Sequence, residues 1–304
     1  MTQTVPPRPR RLAVAGLALG ALMAVGAAAP ASAEIRLQFQ DRDVARMVSL
    51  GGSCNRCELS GRDLTGATFA GASFTNATLV GADLRGAELI GSNFMGSDFT
   101  RADLGGAELV GANFTGADFT NADLSGVSAT GATLVRARFS SADLSGADLN
   151  GANMNGAVLT NADLSGGELT AVTLANVSAR NADFSDAEVT MSNLSNGDFR
   201  NASFADATLN GSRLTGGRFA GANFSDAEMN RADIRGADLS DARGLTQDQV
   251  GRACGDDNTR LPRNLSARVC RGLGGMRMAP APPAPPAPPM APRVRNFAIA
   301  GGGR

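Results

Sequence analysis

From Leu59 onward the large apolar residues fall five apart, as in GADLRGAELIGSNF at 81–94, where Leu84, Leu89 and Phe94 mark the beat. A helix repeats every 3.6 residues and a strand every 2, so neither places side chains at that interval. Every fifth position from Leu59 to Leu239 can be taken without an insertion, which gives 37 consecutive centres, nearly all Leu, Phe, Met, Ile or Val. Two positions before each centre stands a small residue, usually Ala, as at Ala82, Ala87, Ala102 and Ala107, with a polar residue between the two. Small-polar-large reads as a three-residue strand with two side chains inward and one outward. The remaining two residues of a pentad are commonly Ser or Thr and then Gly or Asn, which tolerate the positive φ of a tight bend. Each pentad is a short strand plus a corner, and a chain that turns every five residues must coil.

The number of pentads in one coil follows from stacking, because a solenoid sets like residues above like. Among the centres Phe recurs seven times at a lag of four pentads, as in Phe74, Phe94, Phe114 and in Phe99, Phe119, Phe139, but three times at a lag of three pentads. Four pentads per coil predict an all-β solenoid of square section, with inward Leu and Phe columns and backbone hydrogen bonds running between coils. About nine coils at ~4.8 Å make a rod ~44 Å long. At Ala129 and Ala179 the centre shrinks, while Val127 and Val177 two positions earlier have grown, so a filled interior is expected rather than a cavity.

Repeats such as ADLSG at 122–126 and 142–146, with GADLRGAEL and GANFTGADF, resemble the pentapeptide-repeat family, whose consensus is A(D/N)LXX. The resemblance spans about 57–243. It implies a right-handed quadrilateral β-helix, and it implies that Asp or Asn is the family's usual residue at the outward position. Some members of that family present an acidic rod to DNA gyrase and so protect it from inhibitors, which makes a DNA-mimicking gyrase binder one functional alternative.

The two ends differ from the repeats. Arg8, Arg10 and Arg11, the apolar run Leu12–Ala29 and then Ala31-Ser32-Ala33 have the order of a secretory signal peptide over 1–33, cleaved after Ala33. A single membrane anchor is the competing reading of that run. Residues 34–56 read as an N-terminal cap with a short helix, because Val44, Met47 and Val48 have helical spacing between Asp41 and Gly51-Gly52. After the β-helix of 57–243, residues 244–275 read as a second helical cap: Thr246 and Gln249 form a capping box, Leu245 and Val250 a staple, and Gly255 a stop. Residues 276–304, with APAPPAPPAPPMAP, read as a disordered, extended Pro-rich tail that spaces or tethers. An exported chain is expected in the periplasm or the medium, with no stable membrane span after cleavage.

The four cysteines, Cys54, Cys57, Cys254 and Cys270, lie in the caps. Disulfides need Cα atoms within about 7 Å, so cysteines at opposite ends of a ~44 Å rod cannot pair. That leaves Cys54 with Cys57 and Cys254 with Cys270, a structural set suited to an oxidising compartment. The rival reading is a periplasmic thiol-disulfide protein using Cys54 and Cys57. Metal binding fits poorly, since one Cys-x-x-Cys supplies two of four usual ligands and the chain has no His.

Charge is uneven beneath a formal net of −1. Residues 57–243 hold 12 Arg against 23 Asp and Glu, a net of −11, and the flanks hold 16 Arg against 6 acids, a net of +10. Taken at every fourth pentad, the outward residues Asp63, Asp83, Asp103, Asp123, Asp143, Asp163 and Asp183 fall in one column. The next face carries Glu88, Glu108, Asp148, Glu168 and Glu188, and another is nearly neutral, with Asn93, Asn113, Asn153 and Asn193. The absence of His and Lys removes the commonest general base, the Ser-His-Asp and Ser-Lys triads and Schiff-base chemistry, and a convex rod offers no evident cleft. A non-enzymatic module without cofactor is expected, presenting the Asp column to a basic protein partner or binding divalent cations weakly. An acidic rod repels phosphate, so direct nucleic-acid binding is not expected.

Overall fold

The computed structural model of the protein describes residues 52–270. The expected signal peptide, the helix around Val44–Val48 and the Pro-rich tail lie outside the described residues.

Each pentad contributes one parallel bridge at its outward residue, and the partner lies four pentads further on, from Ser53↔Ser73 through Asp103↔Asp123 to Asn223↔Arg243. Four pentads therefore complete a coil, and the outward residues line up as four faces. The corners have one conformation: every fifth residue from Arg56 to Gly236 has a φ between 53° and 74°. Gly, Asn and Asp hold most of these positions, since they reach the left-handed region at least cost. Arg56, Arg101, Arg136, Met191 and Arg231 also adopt it, at roughly 1 kcal/mol each.

A pentad has five N–H groups, and the backbone takes four of them. Around Leu64, its own N–H bonds the Asp83 carbonyl at 2.7 Å and the Gly66 N–H bonds that of Arg85 at 2.9 Å. The Asp83 N–H reaches back to Arg62 at 2.9 Å, and the Ala67 N–H closes the turn on Leu64 at 3.0 Å. The fifth N–H belongs to the residue after each centre, and the backbone offers it nothing.

Inward positions form one continuous core in which the centres and their small partners are buried. Phe74, Phe94 and Phe114 stack with centroids 4.7 and 5.4 Å apart. Phe99, Phe119 and Phe139 do the same at 4.8 and 5.0 Å. Val127 and Ala129, like Val177 and Ala179, are buried together, so the swapped sizes fill the section. Gly197 shows the opposite exchange, because a Cβ there would meet the Phe199 ring at 2.4 Å. Ser92, Ser97, Ser192 and Ser212 occupy the small inward position fully buried. Ser97 donates its hydroxyl to the Phe74 carbonyl at 2.6 Å and accepts the Ala77 N–H at 3.1 Å, which removes the cost of an unpaired polar atom in an apolar core.

At the N-terminal end, Cys54 takes the centre of one further pentad and Cys57 the small position before Leu59, both partly buried against the core. At the C-terminal end the helix α1, Gln247–Arg252, replaces the side of the coil that would have continued Glu228. Its capping box joins Thr246 and Gln249, and the Gln249 amide also donates to the Phe224 and Ala227 carbonyls, both at 2.9 Å. Gly255 does not stop this helix, contrary to the sequence expectation. The helix ends at Arg252, Ala253 is extended with φ −80°, and the Cys254 N–H bonds the Ala232 carbonyl at 2.7 Å. Re-entry into the bridge register, where Cys254 pairs with Asp233, satisfies the chain before a glycine is needed.

Candidate functional site

Where the outward residue is Asp or Asn, the fifth N–H of the pentad explains the choice. In the column Asp63, Asp83, Asp103, Asp123, Asp143, Asp163 and Asp183, each Oδ1 accepts the N–H two residues on, over 2.9–3.2 Å. The bond closes an Asx turn on the residue that the backbone leaves unpaired. Ser125 and Thr65 add their hydroxyls to the same oxygens at 2.7 Å. Bridging sets successive carboxylates ~4.8 Å apart.

Arginine interrupts this ladder near its start. Arg85 donates to Asp83 at 2.6 and 2.9 Å and approaches Asp103 at 3.5 Å. Its guanidinium holds the Asp83 carboxyl down to about 2. The Thr65 hydroxyl and N–H lower that of Asp63. On the adjoining face Glu88, Glu108, Glu168 and Glu188 are exposed, and Glu168 accepts from Asn150 of the coil before at 3.0 Å. The face opposite the Asp column has Ser73, Asn93, Asn113, Thr133, Asn153, Thr173 and Asn193 in register, uncharged until the column reaches Arg213 and Asp233. Its asparagines make the same turn bond over 3.0–3.2 Å. On the remaining face Asp198 is clamped by Arg200 at 2.8 Å and Arg180 at 2.7 Å, which push its carboxyl well below the usual range.

The structure thus brings the seven aspartates together on one side and separates them from the neutral column by the width of the rod. Among the described residues, no group of three or more His, Cys, Asp or Glu side chains could hold a metal ion. Cys54 and Cys57 lie at disulfide distance with Cα atoms 5.4 Å apart, and Cys254 and Cys270 with Cα atoms 5.5 Å apart. Among the described residues, no helix is long and apolar enough to cross a membrane.

A stack of square coils whose corners are tied by an outward Asp or Asn is a pentapeptide-repeat solenoid, and the comparisons agree. The family model for pentapeptide repeats matches in eight copies, in stretches running from 53–89 to 202–241. The chain belongs to the pentapeptide-repeat family. It is similar to HetL, a pentapeptide repeat protein involved in heterocyst differentiation regulation from the cyanobacterium Nostoc sp. strain PCC 7120. Identity is 30%, over 72% of this chain and 96% of that one, with a TM-score of 0.43. QnrB1, a plasmid-mediated fluoroquinolone resistance protein, is 23% identical over 68% of this chain and 94% of its own, with a TM-score of 0.45. A pentapeptide repeat protein from the Arabidopsis thaliana thylakoid lumen is 32% identical over 36% of this chain and 66% of its own, with a TM-score of 0.17. No curated protein matches the chain.

Sequence reasoning found the Asp column but missed what each carboxylate does for the backbone. The signal was present: Asp and Asn alternate at the outward position, and the property they share is a short side chain ending in an acceptor oxygen.

Proposed function

We propose that the protein is a non-enzymatic, extracytoplasmic interaction module whose acidic faces dock a basic protein partner. One observation carries this reading. The aspartates of the Asp column and the asparagines of the neutral column make the same turn bond, so the corner uses the Oδ1 acceptor and has no use for the charge. Seven carboxylates in a row carry a standing repulsion, of about 0.9 kcal/mol per neighbouring pair even at the dielectric of bulk water before salt screening. An Arg-rich surface on a partner relieves that repulsion, as Arg85 already does between Asp83 and Asp103. Export fits the order of residues 1–33 and two cysteine pairs at disulfide distance. A basic polypeptide is favoured over a cation, because one oxygen of each ladder carboxylate is engaged by the chain itself.

Two measurements test the proposal. Cell fractionation with sequencing of the mature N-terminus is expected to find the protein outside the cytoplasm and beginning at Glu34. Titration with an arginine-rich peptide at physiological salt is expected to show binding that the triple variant Asp103→Asn, Asp123→Asn, Asp143→Asn loses by about tenfold. Equal binding by the two proteins would remove the Asp face from the function.

A further inference from the structure

The rod has a basic spot at one corner of its C-terminal end. Where α1 replaces one side of the last coil, it leaves an open groove of about 680 Å³. Arg231, Arg252 and Arg268 line it together with Asn210, Asn230 and Met191, and no carboxylate is among its walls. Two acids bond to its lining: Glu228 accepts from the Asn210 amide at 2.7 Å, and Asp248 pairs with Arg252 at 2.8 Å, so the uncompensated charge comes from Arg231 and Arg268. Arg231 and Arg268 have no carboxylate partner among the described residues. On a solenoid with a net charge of −11 over 57–243, this concentration of guanidinium groups runs against the surrounding charge.

The corner conformation bears on which residues can be exchanged at the groove. The corner column that runs beneath the groove is Gly at 71, 91, 111, 131, 151 and 211, as its left-handed φ favours, and Ala at 171, with φ 57°. At the groove the same column carries Met191, with φ 53°, and Arg231, with φ 58°. Arg56, Arg101 and Arg136 accept the same conformation at other corners, so Met191 and Arg231 stand here at a cost of roughly 1 kcal/mol each that glycine would not carry. Met191 is 57% exposed, so it gives the groove an apolar lip instead of filling the core. Arginine forks match phosphate and carboxylate groups with paired hydrogen bonds, and the groove has the size of a small-molecule site.

We infer that this groove is an anion site, which takes a small ligand bearing two or more phosphate or carboxylate groups, its carbon frame against Met191. The rest of the acidic rod repels such a ligand, so the groove is where it collects. The test is calorimetric titration of the full-length protein at low salt with inorganic pyrophosphate in one arm and citrate in the other. At least one of the two is expected to bind with a Kd below about 1 mM, and the arm that binds tells phosphate from carboxylate recognition. Arg231→Gly restores the glycine of its column, so it is expected to keep or raise the melting temperature while weakening binding about tenfold. Arg268→Gln is expected to weaken binding to a similar degree without touching a corner. Absence of binding in both arms, or wild-type affinity in both variants, overturns the inference.

Discussion

The face from Asp63 to Asp183 and the face from Ser73 to Asn193 lie on opposite sides of the same coils and are built from the same parts. Both pair in register at four pentads, and the aspartates of one and the asparagines of the other tie their corners with an outward side-chain oxygen. One carries seven negative charges and the other none. The comparison separates what a corner needs, an acceptor of the right reach, from what a face displays. Aspartate and asparagine are equivalent for the first and opposite for the second.

The largest expected effect lies beneath both faces. Phe94→Ala removes the middle ring of the Phe74–Phe94–Phe114 stack and should cost about 3–5 kcal/mol in denaturant unfolding, less what the coils recover by collapsing. A cost under about 1 kcal/mol would mean that these rings do not share a tightly filled core.

The corner bond comes next and compares the faces directly. Asp123→Ala and Asn113→Ala each leave an N–H without its acceptor, at Ser125 and Thr115, and should each cost about 1 kcal/mol. If the aspartate variant alone were destabilised, charge would be part of the corner after all. Replacing Asp103, Asp123 and Asp143 with Asn keeps every acceptor while removing repulsion. It should raise stability by something on the order of 1 kcal/mol at low salt, a gain that shrinks in 0.5 M salt because a Debye length of about 4 Å already screens much of the repulsion. Unchanged thermal midpoints at low salt would show that the ladder carries no repulsion worth relieving.

The smallest effect concerns pH. The folded Asp83 carboxyl titrates at about 2, below its ordinary 3.8, through Arg85. A depressed folded value means that the pair's contribution is complete above about pH 4 and fades as pH falls toward 2. Arg85→Gln should move the Asp83 titration upward, read by carboxyl NMR, and flatten that part of the acid-unfolding curve. Because Asp83 sits near the surface, high salt should weaken the difference.

Much of the architecture was legible in the residues because steric needs repeat at every corner. The five-residue beat, the coil of four pentads and the column of aspartates all follow from one rule applied along the chain. Cys54 and Cys57 were legible only in part: extending the frame back one pentad turns a Cys-x-x-Cys motif into the inward pair that brackets a corner. The buried serines were hidden, since a small inward residue reads alike whether it is Ala or Ser until a carbonyl is seen within reach.

By itself, then, the sequence determined the period, the coil size, the inward and outward sets and the sign of each face. Each of these depends on residues at constant spacing, where local sterics and burial act the same way in every repeat. Only the tertiary structure decided how the rod ends. There the bridge register outgrows the four-pentad coil, by one position at Asp233↔Cys254 and by two at Asp238↔Arg260. The helix stops before Gly255, and Met191, Arg231, Arg252 and Arg268 meet around one groove. Once the repeat is broken, spacing along the chain no longer tells which side chains are neighbours, and packing against the last coil settles it.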